Sequence, residues 1–388
     1  MAKTKILTLN KIAKVGLDRF SDNYEVGENV TDPDGILVRS ASLHEMELPE
    51  SLLAIARAGA GTNNIPIDKC SDKGIVVFNT PGANANAVKE LVLSALFLSS
   101  RKIVPAIEWA KTLKGNGAEV GKMVEKGKSQ FAGPEIKGKT LGVIGLGAIG
   151  VLVANAADAL GMDVLGYDPF ISVDTAWGLS SSTQHVNDLK EIFAKCDYIT
   201  MHVPLNNDTK GMINAEAIAQ MKDGVRILNF SRAELVDGAS IVDAVKSGKV
   251  ATYVVDFPTD EVLDVDGIVA IPHLGASTPE SEDNCAVMAA AELRSYIKYG
   301  SIRNSVNFPN LECGHVEDKR ICIMHKNIPN TLTQISGKIS EQGINIENML
   351  SKSKKDYAYT VIDYAGDLSD ATVEAIKTIE GVIRIRIL

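Results

Sequence analysis

The sequence lacks the features of secreted and membrane proteins. Its five cysteines are an odd number and none belongs to a C-x-x-C pair, so a disulfide framework is not expected. No stretch reaches the roughly 18 consecutive apolar residues of a membrane-spanning helix. Residues 1–10 contain no apolar segment of signal-peptide length. We therefore expect a soluble cytoplasmic protein.

An excess of positive charge is also missing. The chain has 49 acidic against 40 basic residues, which gives a net charge of −9. Binding to duplex nucleic acid needs a dense cationic face, so nucleic acid is not expected as a partner. An anionic small substrate is not excluded, because it needs only one or two local cations.

The spacing of potential zinc ligands is not that of a known zinc site. Cys313, His315, Cys322 and His325 lie close together in the sequence, but their intervals differ from those of zinc fingers. Cys322 also alternates with isoleucines, as in a buried strand. We therefore expect no metal.

One segment has the pattern of a nucleotide-binding turn. Gly145, Gly147 and Gly150 form G-x-G-x-x-G directly after a short apolar strand. The first glycine allows the tight turn, the second lets the backbone approach a pyrophosphate, and the third lets the helix pack on the strand. The next strand ends at Asp168, whose carboxylate can accept from ribose hydroxyls and repels a 2′-phosphate. A glycine loop used only for packing is the alternative, but the strand–helix–strand context favours NAD.

The alternation of strands and helices predicts the fold class. It occurs in the first hundred residues and again over residues 140–276, which indicates parallel sheets with crossover helices. After residue 319 the order is βαββαβ, as in ferredoxin-like domains. We predict an α/β protein with a Rossmann-type nucleotide-binding domain inserted in a flavodoxin-like α/β substrate-binding domain. The predicted segments are 1–101 and 277–307 for substrate binding, 102–276 for NAD, 308–318 for a linker, and 319–388 for a ferredoxin-like domain.

Three later predicted strands are each followed by polar side chains that could act on a bound substrate. Arg232 follows one predicted strand, Asp256 and Glu261 follow another, and His273 follows a third. Ligands bind at the carboxyl edge of parallel sheets, where an arginine can clamp a carboxylate with two hydrogen bonds. A histidine of near-neutral pKa can take the proton from a hydroxyl group of a substrate. Singly, the arginine could form a surface ion pair and the histidine could be structural, but the combination favours catalysis.

The segments GLGAIG, NFSRAELVD and PHLGAST resemble the D-isomer-specific 2-hydroxyacid dehydrogenases in order and spacing. The resemblance implies that His273 is the general acid/base, that Glu261 hydrogen-bonds to it, and that Arg232 binds the substrate carboxylate and carbonyl. Asp260 is an alternative partner for the histidine. The five-residue step from Asp256, which would contact the nicotinamide amide, selects Glu261.

The resemblance also implies the cofactor contacts and the substrate contacts. The cofactor residues are Gly145, Gly147, Ala148, Ile149, Gly150, Asp168, His202, Val203, Pro204, Phe230, Ser231, Arg232, Asp256, His273, Gly275 and Ala276. The substrate residues are Arg39, Ser40, Asn63, Asn84, Arg232 and His273.

Three of these residues have a second interpretation or a departure from the family. Many relatives have arginine where this chain has Ala148, so backbone amides and the helix dipole must hold the pyrophosphate. Asn84 could instead cap a helix. We expect Arg39 to bind an anionic group at the far end of the substrate, and a sheet-edge charge is the alternative.

The last seventy residues resemble an ACT domain, a βαββαβ module that binds amino acids at subunit interfaces. In serine-responsive members the residues matching His325, Asn327 and Asn345 hold L-serine. The usual glycine of the first loop is Asn330 here. Asparagine is the residue other than glycine that best tolerates positive φ, so we expect the turn to persist.

Together the resemblances imply NAD-dependent oxidation of D-3-phosphoglycerate to 3-phosphohydroxypyruvate, the first step of L-serine biosynthesis, with feedback by L-serine. They also imply a homodimer or homotetramer. The alternatives are another D-2-hydroxyacid dehydrogenase, such as a hydroxypyruvate or glyoxylate reductase, and a non-catalytic NAD-sensing protein.

Overall fold

The computed structural model describes residues 3–316 and 319–388, and the chain divides into two compact units. The first unit joins Met1–Ala83 to Pro279–Leu388, and the second is Asn84–Thr278. The three-domain division therefore stays a prediction. The second unit begins earlier than residue 102 because the helix that follows Asn84 buries Val88, Val92 and Leu96 in that unit's core.

The first part of the first unit is a parallel sheet of five strands. Their order is 2-1-3-4-5, the flavodoxin-like order. The third, fourth and fifth strands match the apolar runs that the sequence predicts. The elements are β1 (Thr4–Leu9), α1 (Lys14–Leu17), β2 (Tyr24–Gly27), β3 (Gly35–Val38), β4 (Ala54–Arg57), α2 (Ile67–Asp72) and β5 (Val76–Phe78).

The second unit contains eight α-helices and seven strands. Short 3₁₀ segments lie at Gly117–Glu119, Lys128–Phe131, Ala233–Leu235 and Asp260–Val262. The helices are α3 (Ala85–Arg101), α4 (Ile103–Thr112), α5 (Val120–Gly127), α6 (Ala148–Ala159), α7 (Val173–Ala176), α8 (Leu189–Lys195), α9 (Ala215–Ala219) and α10 (Gly238–Lys246). The strands are β6 (Thr140–Ile144), β7 (Asp163–Tyr167), β8 (Gln184–His185), β9 (Tyr198–Met201), β10 (Val225–Asn229), β11 (Val250–Val255) and β12 (Ile268–Ala270).

The sheet of the second unit has the Rossmann topology. Its order is β12-β11-β10-β9-β6-β7-β8, and every neighbouring pair is parallel. Counted from β6, the first six strands follow the order 3-2-1-4-5-6. The strand order reverses at β6, where ligands of such sheets bind at the carboxyl ends. The predicted Rossmann-type parallel sheet is confirmed.

The rest of the first unit is one long helix and an antiparallel sheet. Ala286, Ala289, Leu293 and Tyr296 of the long helix join the core of the β1–β5 sheet. The C-terminal strands have the order β14-β15-β13-β16, and the predicted βαββαβ order is confirmed. Residues 317 and 318 of the predicted linker lie outside the described residues. The elements are α11 (Pro279–Tyr299), β13 (Lys319–Lys326), α12 (Thr331–Glu341), β14 (Asn345–Lys354), β15 (Tyr357–Ala365), α13 (Asp370–Lys377) and β16 (Val382–Ile387).

Polar contacts attach the C-terminal sheet to the rest of the first unit. Tyr357 donates its hydroxyl to Oδ1 of Asp72 over 2.7 Å, and Lys326 pairs with the same carboxylate at 3.2 Å. The buried Tyr359 hydroxyl donates to the Gly300 carbonyl oxygen over 2.7 Å. Cys322 and Met324 of β13 share one apolar core with the N-terminal strands. Within this unit the two sheets are therefore packed together.

Among the residues that the structure describes, no helix is both long enough and apolar enough to cross a bilayer. All five cysteines are buried and unpaired.

Candidate active site

The three glycines of the turn after β6 have three different surroundings. Gly145 has φ of +90°, and a Cβ there would lie 2.6 Å from the carbonyl oxygen of His202. A Cβ on Gly150 would lie 1.9 Å from the Gly145 carbonyl oxygen, so only glycine lets α6 approach β6 this closely. Around Gly147, by contrast, no described atom lies within 4 Å of a Cβ position. The second glycine therefore leaves open the space that a pyrophosphate needs.

Asp168 lies immediately after β7 and faces the glycine turn. Its Oδ2 accepts from the Leu146 N–H over 2.9 Å, and its Oδ1 accepts from the Phe170 N–H over 2.8 Å. The carboxylate is therefore held in place by main-chain donors. At the start of α6, Gly147 is the N-cap and has no side chain to occupy the first free N–H groups, which remain available to an anion.

Two side chains at the same sheet edge have buried polar atoms without a hydrogen-bond partner. His202 follows β9; its Nε2 lies 3.0 Å from the Thr200 hydroxyl, while its buried Nδ1 has no partner among the described residues. Burial lowers the pKa of His202 to about 4, so the ring is neutral. Asp256 follows β11; its Oδ1 is buried without a partner, and burial raises the pKa of this carboxyl to about 6. A buried polar atom without a partner is costly, and a bound cofactor's polar groups could satisfy both.

Arg232 and His273 are brought together on the ring of Phe257. The guanidinium carbon of Arg232 lies 5.3 Å from the ring centroid, and the imidazole of His273 stacks on the same ring with centroids 4.2 Å apart. Partial burial and then the positive charge of Arg232 lower the pKa of His273 below its usual value. The imidazole is therefore poised as a neutral base beside a cation.

The side chain of Glu261 lies beside the start of helix α10. Its Oε2 occupies the space beside Gly238, where a Cβ would be only 1.9 Å away, at the first residue of α10. The structure therefore places this carboxylate beside α10. Among the described residues, no hydrogen bond joins Glu261 or Asp260 to the His273 imidazole.

The other predicted cofactor residues lie in the same segments, after the carboxyl ends of β6, β9, β10 and β12. Ser231 donates its hydroxyl to the Met201 carbonyl oxygen over 2.7 Å, which joins the ends of β9 and β10. A Cβ on Gly275 would lie 3.4 Å from Oδ2 of Asp256. The remaining residues are Ala148, Ile149, Val203, Pro204, Phe230 and Ala276.

In the first unit, two arginines follow neighbouring strands. Arg39 comes directly after β3, and Arg57 ends β4, where it is in register with Val38. The Arg57 Nε donates to the Arg39 carbonyl oxygen over 3.0 Å. Burial, together with the nearby Arg39 charge, lowers the pKa of Arg57. The sequence analysis did not single out Arg57, although it has the same signal as Arg39: a cation at the carboxyl end of a buried strand.

The remaining predicted substrate residues have separate surroundings. Ser40 donates its N–H to Oδ1 of Asn10 over 3.0 Å. The carbonyl oxygen of Asn63 contacts Nε2 of His44 at 2.9 Å, and its side chain is exposed. Asn84 is the N-cap residue of α3, but its side chain makes no capping hydrogen bond in the described structure. Asn84 therefore occupies the N-cap position, as the capping interpretation expects, but its side chain does not cap the helix.

Residues 93–275 match the family model described as "D-isomer specific 2-hydroxyacid dehydrogenase, NAD binding domain". The D-3-phosphoglycerate dehydrogenase of Escherichia coli K12 is 32% identical over 383 residues, which covers 95% of this chain and 90% of the relative. This chain belongs to the D-isomer-specific 2-hydroxyacid dehydrogenases. It is an NAD-dependent dehydrogenase, and NAD is its cofactor.

Solved structures of the same family have the same fold. A cofactor-bound 3-phosphoglycerate dehydrogenase of Entamoeba histolytica is 28% identical, has a TM-score of 0.61, and covers 80% of this chain and 100% of its own. A glyoxylate reductase of Paecilomyes thermophila is 25% identical, with a TM-score of 0.65 and coverage of 79% and 99%. Family membership agrees with the nucleotide turn and with the Arg232–Phe257–His273 cluster.

In this 2-hydroxyacid dehydrogenase, two of the three residues predicted to bind L-serine, His325 and Asn345, lie far apart. In β13, His325 contacts the Lys326 carbonyl oxygen at 2.8 Å through Nδ1 and the Thr360 hydroxyl at 2.9 Å through Nε2. Asn345 is in register with Ala365, and His325 with Ala358. Seven residues of one strand separate the two positions by roughly 23 Å. Within one chain they therefore cannot hold the same small molecule.

The other C-terminal residues also have defined places. Asn327 donates its side-chain amide to the Lys355 carbonyl oxygen over 3.1 Å. Asn330 has φ of +69°, which confirms that it adopts the left-handed turn conformation expected of the usual glycine. In residues 3–316 and 319–388, no group of three potential ligands could hold a metal ion.

Proposed function

We propose that the chain oxidises D-3-phosphoglycerate to 3-phosphohydroxypyruvate with NAD, the first step of L-serine biosynthesis. The observation that carries the proposal is the pair of guanidinium groups, Arg39 and Arg57, at adjacent strand ends. Two neighbouring cations suit a dianionic phosphate better than the uncharged end of glyoxylate or hydroxypyruvate. Relatives that align over nearly the whole chain are D-3-phosphoglycerate dehydrogenases.

We propose that Arg232 and His273 act on the carboxylate and the C2 hydroxyl of the substrate. Arg232 binds the carboxylate through two parallel hydrogen bonds, which its exposed guanidinium permits. The neutral imidazole of His273 takes the proton from the C2 hydroxyl, and its lowered pKa keeps it neutral for this purpose. The resulting imidazolium charge is balanced by the substrate carboxylate that Arg232 holds. NAD, when bound, would supply the acceptor for the hydride that leaves C2.

We propose that the following groups of the second unit would hold the cofactor. The N–H groups at the start of α6 face the pyrophosphate across the open space at Gly147. Asp168 accepts from the ribose hydroxyls. The unpartnered Oδ1 of Asp256 accepts from the nicotinamide carboxamide. Ala148 contributes no cation, so backbone amides and the helix dipole carry the phosphate contact.

Glu261 as the hydrogen-bonding partner of His273 rests on family resemblance alone. Its carboxylate lies beside Gly238 in this structure, so the role requires a different side-chain rotamer. We infer that Glu261→Gln shifts the acid limb of the pH profile while Asp260→Asn leaves it unchanged. The reverse result would assign the role to Asp260.

The test of the substrate assignment is a panel of keto acids. NADH oxidation is followed with 3-phosphohydroxypyruvate, hydroxypyruvate and glyoxylate, for the wild type and for Arg57→Ala. We expect at least a tenfold higher kcat/KM for the phosphorylated acid, and a selective loss of that preference in the variant. Preference for an unphosphorylated acid would instead identify a hydroxypyruvate or glyoxylate reductase. Inactivity on all three would leave an NAD-sensing protein.

We propose that the enzyme is a homo-oligomer in which a second copy covers helix α4. None of the residues of α4 is buried, although Ile103, Val104 and Ile107 are apolar and 37–51% exposed. Phe97 of α3 adds a further exposed aromatic ring to this face. Contiguous exposed apolar surface on this scale is typical of an interface. Dimer and tetramer both satisfy this proposal.

We propose that residues 319–388 form an ACT domain that binds L-serine between two chains. The βαββαβ order and the left-handed Asn330 support the assignment. Since His325 and Asn345 lie at opposite ends of one sheet, a site that uses both needs residues from two copies. Titration calorimetry with L-serine should give heat that Asn345→Ala abolishes, with D-serine as the control. Equal heats for wild type and variant would refute this site.

We also infer a cytoplasmic location for the enzyme. Five unpaired thiols are typical of a reducing compartment, and NAD-dependent metabolism of this kind takes place there.

A further inference from the structure

One of the two arginines of the proposed phosphate site already has a carboxylate partner. Nη2 of Arg39 lies 2.7 Å from Oε1 of Glu282, in the first turn of α11. Arg57, in contrast, has no ion-pair partner in the described chain, and its guanidinium lies against Gly59, where a Cβ would be 2.1 Å from Nη1. The proposed phosphate site therefore contains two cations and one internal anion.

We propose that Glu282 is an internal counter-ion that occupies Arg39 until the anionic group of the substrate displaces it. Glu282 would then determine how strongly the enzyme discriminates between substrates with and without a charged end. The inference deepens the proposed function and rests on its assignment of the phosphate to Arg39 and Arg57.

The charges explain why displacement is possible. A phosphate dianion carries more charge than one carboxylate and has three terminal oxygens, so it can engage both guanidiniums at once. Glu282 reaches only Arg39. The Arg39 and Glu282 side chains are 41% and 45% exposed, and ion pairs with this exposure contribute little net stability, so a competing anion can break them.

The proposed counter-ion also predicts that phosphorylated and unphosphorylated substrates bind with different free energies. A keto acid with an uncharged end leaves the Arg39–Glu282 ion pair intact, so its binding free energy does not include the energy of breaking that pair. A phosphorylated substrate must separate the pair, and Glu282 then repels the bound phosphate from nearby. Glu282 therefore weakens the binding of phosphorylated substrate and product alike, which favours product release.

The opposite role for this pair would change the affinity for phosphate in the other direction. If Glu282 instead holds Arg39 in the orientation that binds phosphate, removing its charge weakens binding. The two roles are separated by the direction of the change in affinity.

The experiment compares Glu282→Gln with Glu280→Gln. Both carboxylates lie in the first turn of α11 and interact alike with the helix dipole, but only Glu282 pairs with Arg39. The first readout is the binding of inorganic phosphate to the NADH complex, measured by calorimetry. We expect Glu282→Gln to bind phosphate three to ten times more tightly, or about 0.7 to 1.4 kcal/mol, and Glu280→Gln to match the wild type.

The second readout is the KM of each keto acid. In Glu282→Gln, KM for 3-phosphohydroxypyruvate should fall by the same factor, while KM for glyoxylate stays within twofold. Unchanged or weaker phosphate binding in this variant would overturn the counter-ion role, even if the wild type prefers the phosphorylated acid. A wild type that prefers glyoxylate would overturn the proposed function, while the phosphate titration would still decide the role of Glu282.

Discussion

At the scale of single residues, the chemistry depends on an imidazole kept neutral beside a guanidinium. Burial and the charge of Arg232 lower the pKa of His273, so its basic form persists below the usual titration range of histidine. Both groups lie against the ring of Phe257. Contact with one aromatic ring restricts the orientation of the base and the cation without neutralising either.

His273→Ala should therefore lose turnover while keeping the cofactor. We expect kcat to fall by about 10²- to 10⁴-fold and NADH affinity to change little. In the wild type, kcat/KM for hydroxy-acid oxidation should remain on its plateau down to a pH below the ordinary histidine pKa, then fall as the imidazole is protonated. His185→Ala, an exposed histidine of β8, is the control. Wild-type turnover in His273→Ala would remove the base assignment.

Asp256 should make the cofactor-free enzyme less stable at high pH. Its folded-state pKa, raised by burial to about 6, lies above the unfolded value, so its ionisation above that pH opposes folding. Asp256→Asn should therefore be more stable than wild type at pH 8 by about 3 kcal/mol. The gain should shrink as the pH falls through about 6 and vanish below the unfolded pKa of about 4. Urea unfolding at pH 8 and pH 4 measures this, and a pH-independent difference would contradict it.

At the scale of secondary structure, two glycines of the turn between β6 and α6 have different roles. Gly147 mainly affects NAD binding, and Gly150 mainly affects stability. Gly147→Ala places its Cβ in open space, so we expect a loss of unfolding free energy of only about 1 kcal/mol and at least tenfold weaker NAD binding. Gly150→Ala places its Cβ 1.9 Å from a carbonyl oxygen, so we expect a loss of about 3 kcal/mol or more. Thermal unfolding and fluorescence titration with NADH measure the two effects. Equal loss of stability in both variants would refute this division.

Substitutions of Asn330 would measure the backbone strain in the turn between β13 and α12. Its φ of +69° costs an L-residue roughly 1 kcal/mol, less for asparagine and nothing for glycine. Asn330→Gly should be as stable as wild type or up to about 1 kcal/mol more stable, and Asn330→Ala about 1 kcal/mol less stable. Chemical unfolding monitored by circular dichroism ranks the three proteins. If alanine and glycine are equivalent here, the strain argument fails.

The sequence predicted elements best where the apolar period was long. The βαββαβ order predicted after residue 319 is present, because the buried faces of these elements repeat over several residues. The first unit's β1 and β2 were not predicted individually, since short runs carry little periodic signal. Helix α4, which buries no residue, could not be recognised from a core pattern at all.

At the scale of the whole molecule, the exposed face of α4 should determine the oligomer. Ile107 is 51% exposed at the centre of that face. Ile107→Glu places a charge in the proposed interface, so we expect the mass measured by light scattering to fall by at least half at micromolar concentration. Val173→Glu is the control, because Val173 is 74% exposed and lies in α7, outside this face. An unchanged mass in Ile107→Glu would place the interface elsewhere.

The sequence by itself determined the nucleotide turn, the acidic end of β7, the Arg232 and His273 positions, and the order of elements. These depend on local rules: glycine where the backbone must turn or approach closely, and polar groups where strands end. Only the tertiary structure decided that Phe257 joins Arg232 to His273, that Arg57 lies beside Arg39, that Glu282 pairs with Arg39, and that Glu261 lies at Gly238. Each of these contacts joins residues distant in sequence, and their proximity follows from strand order and side-chain rotamer, which no local pattern encodes.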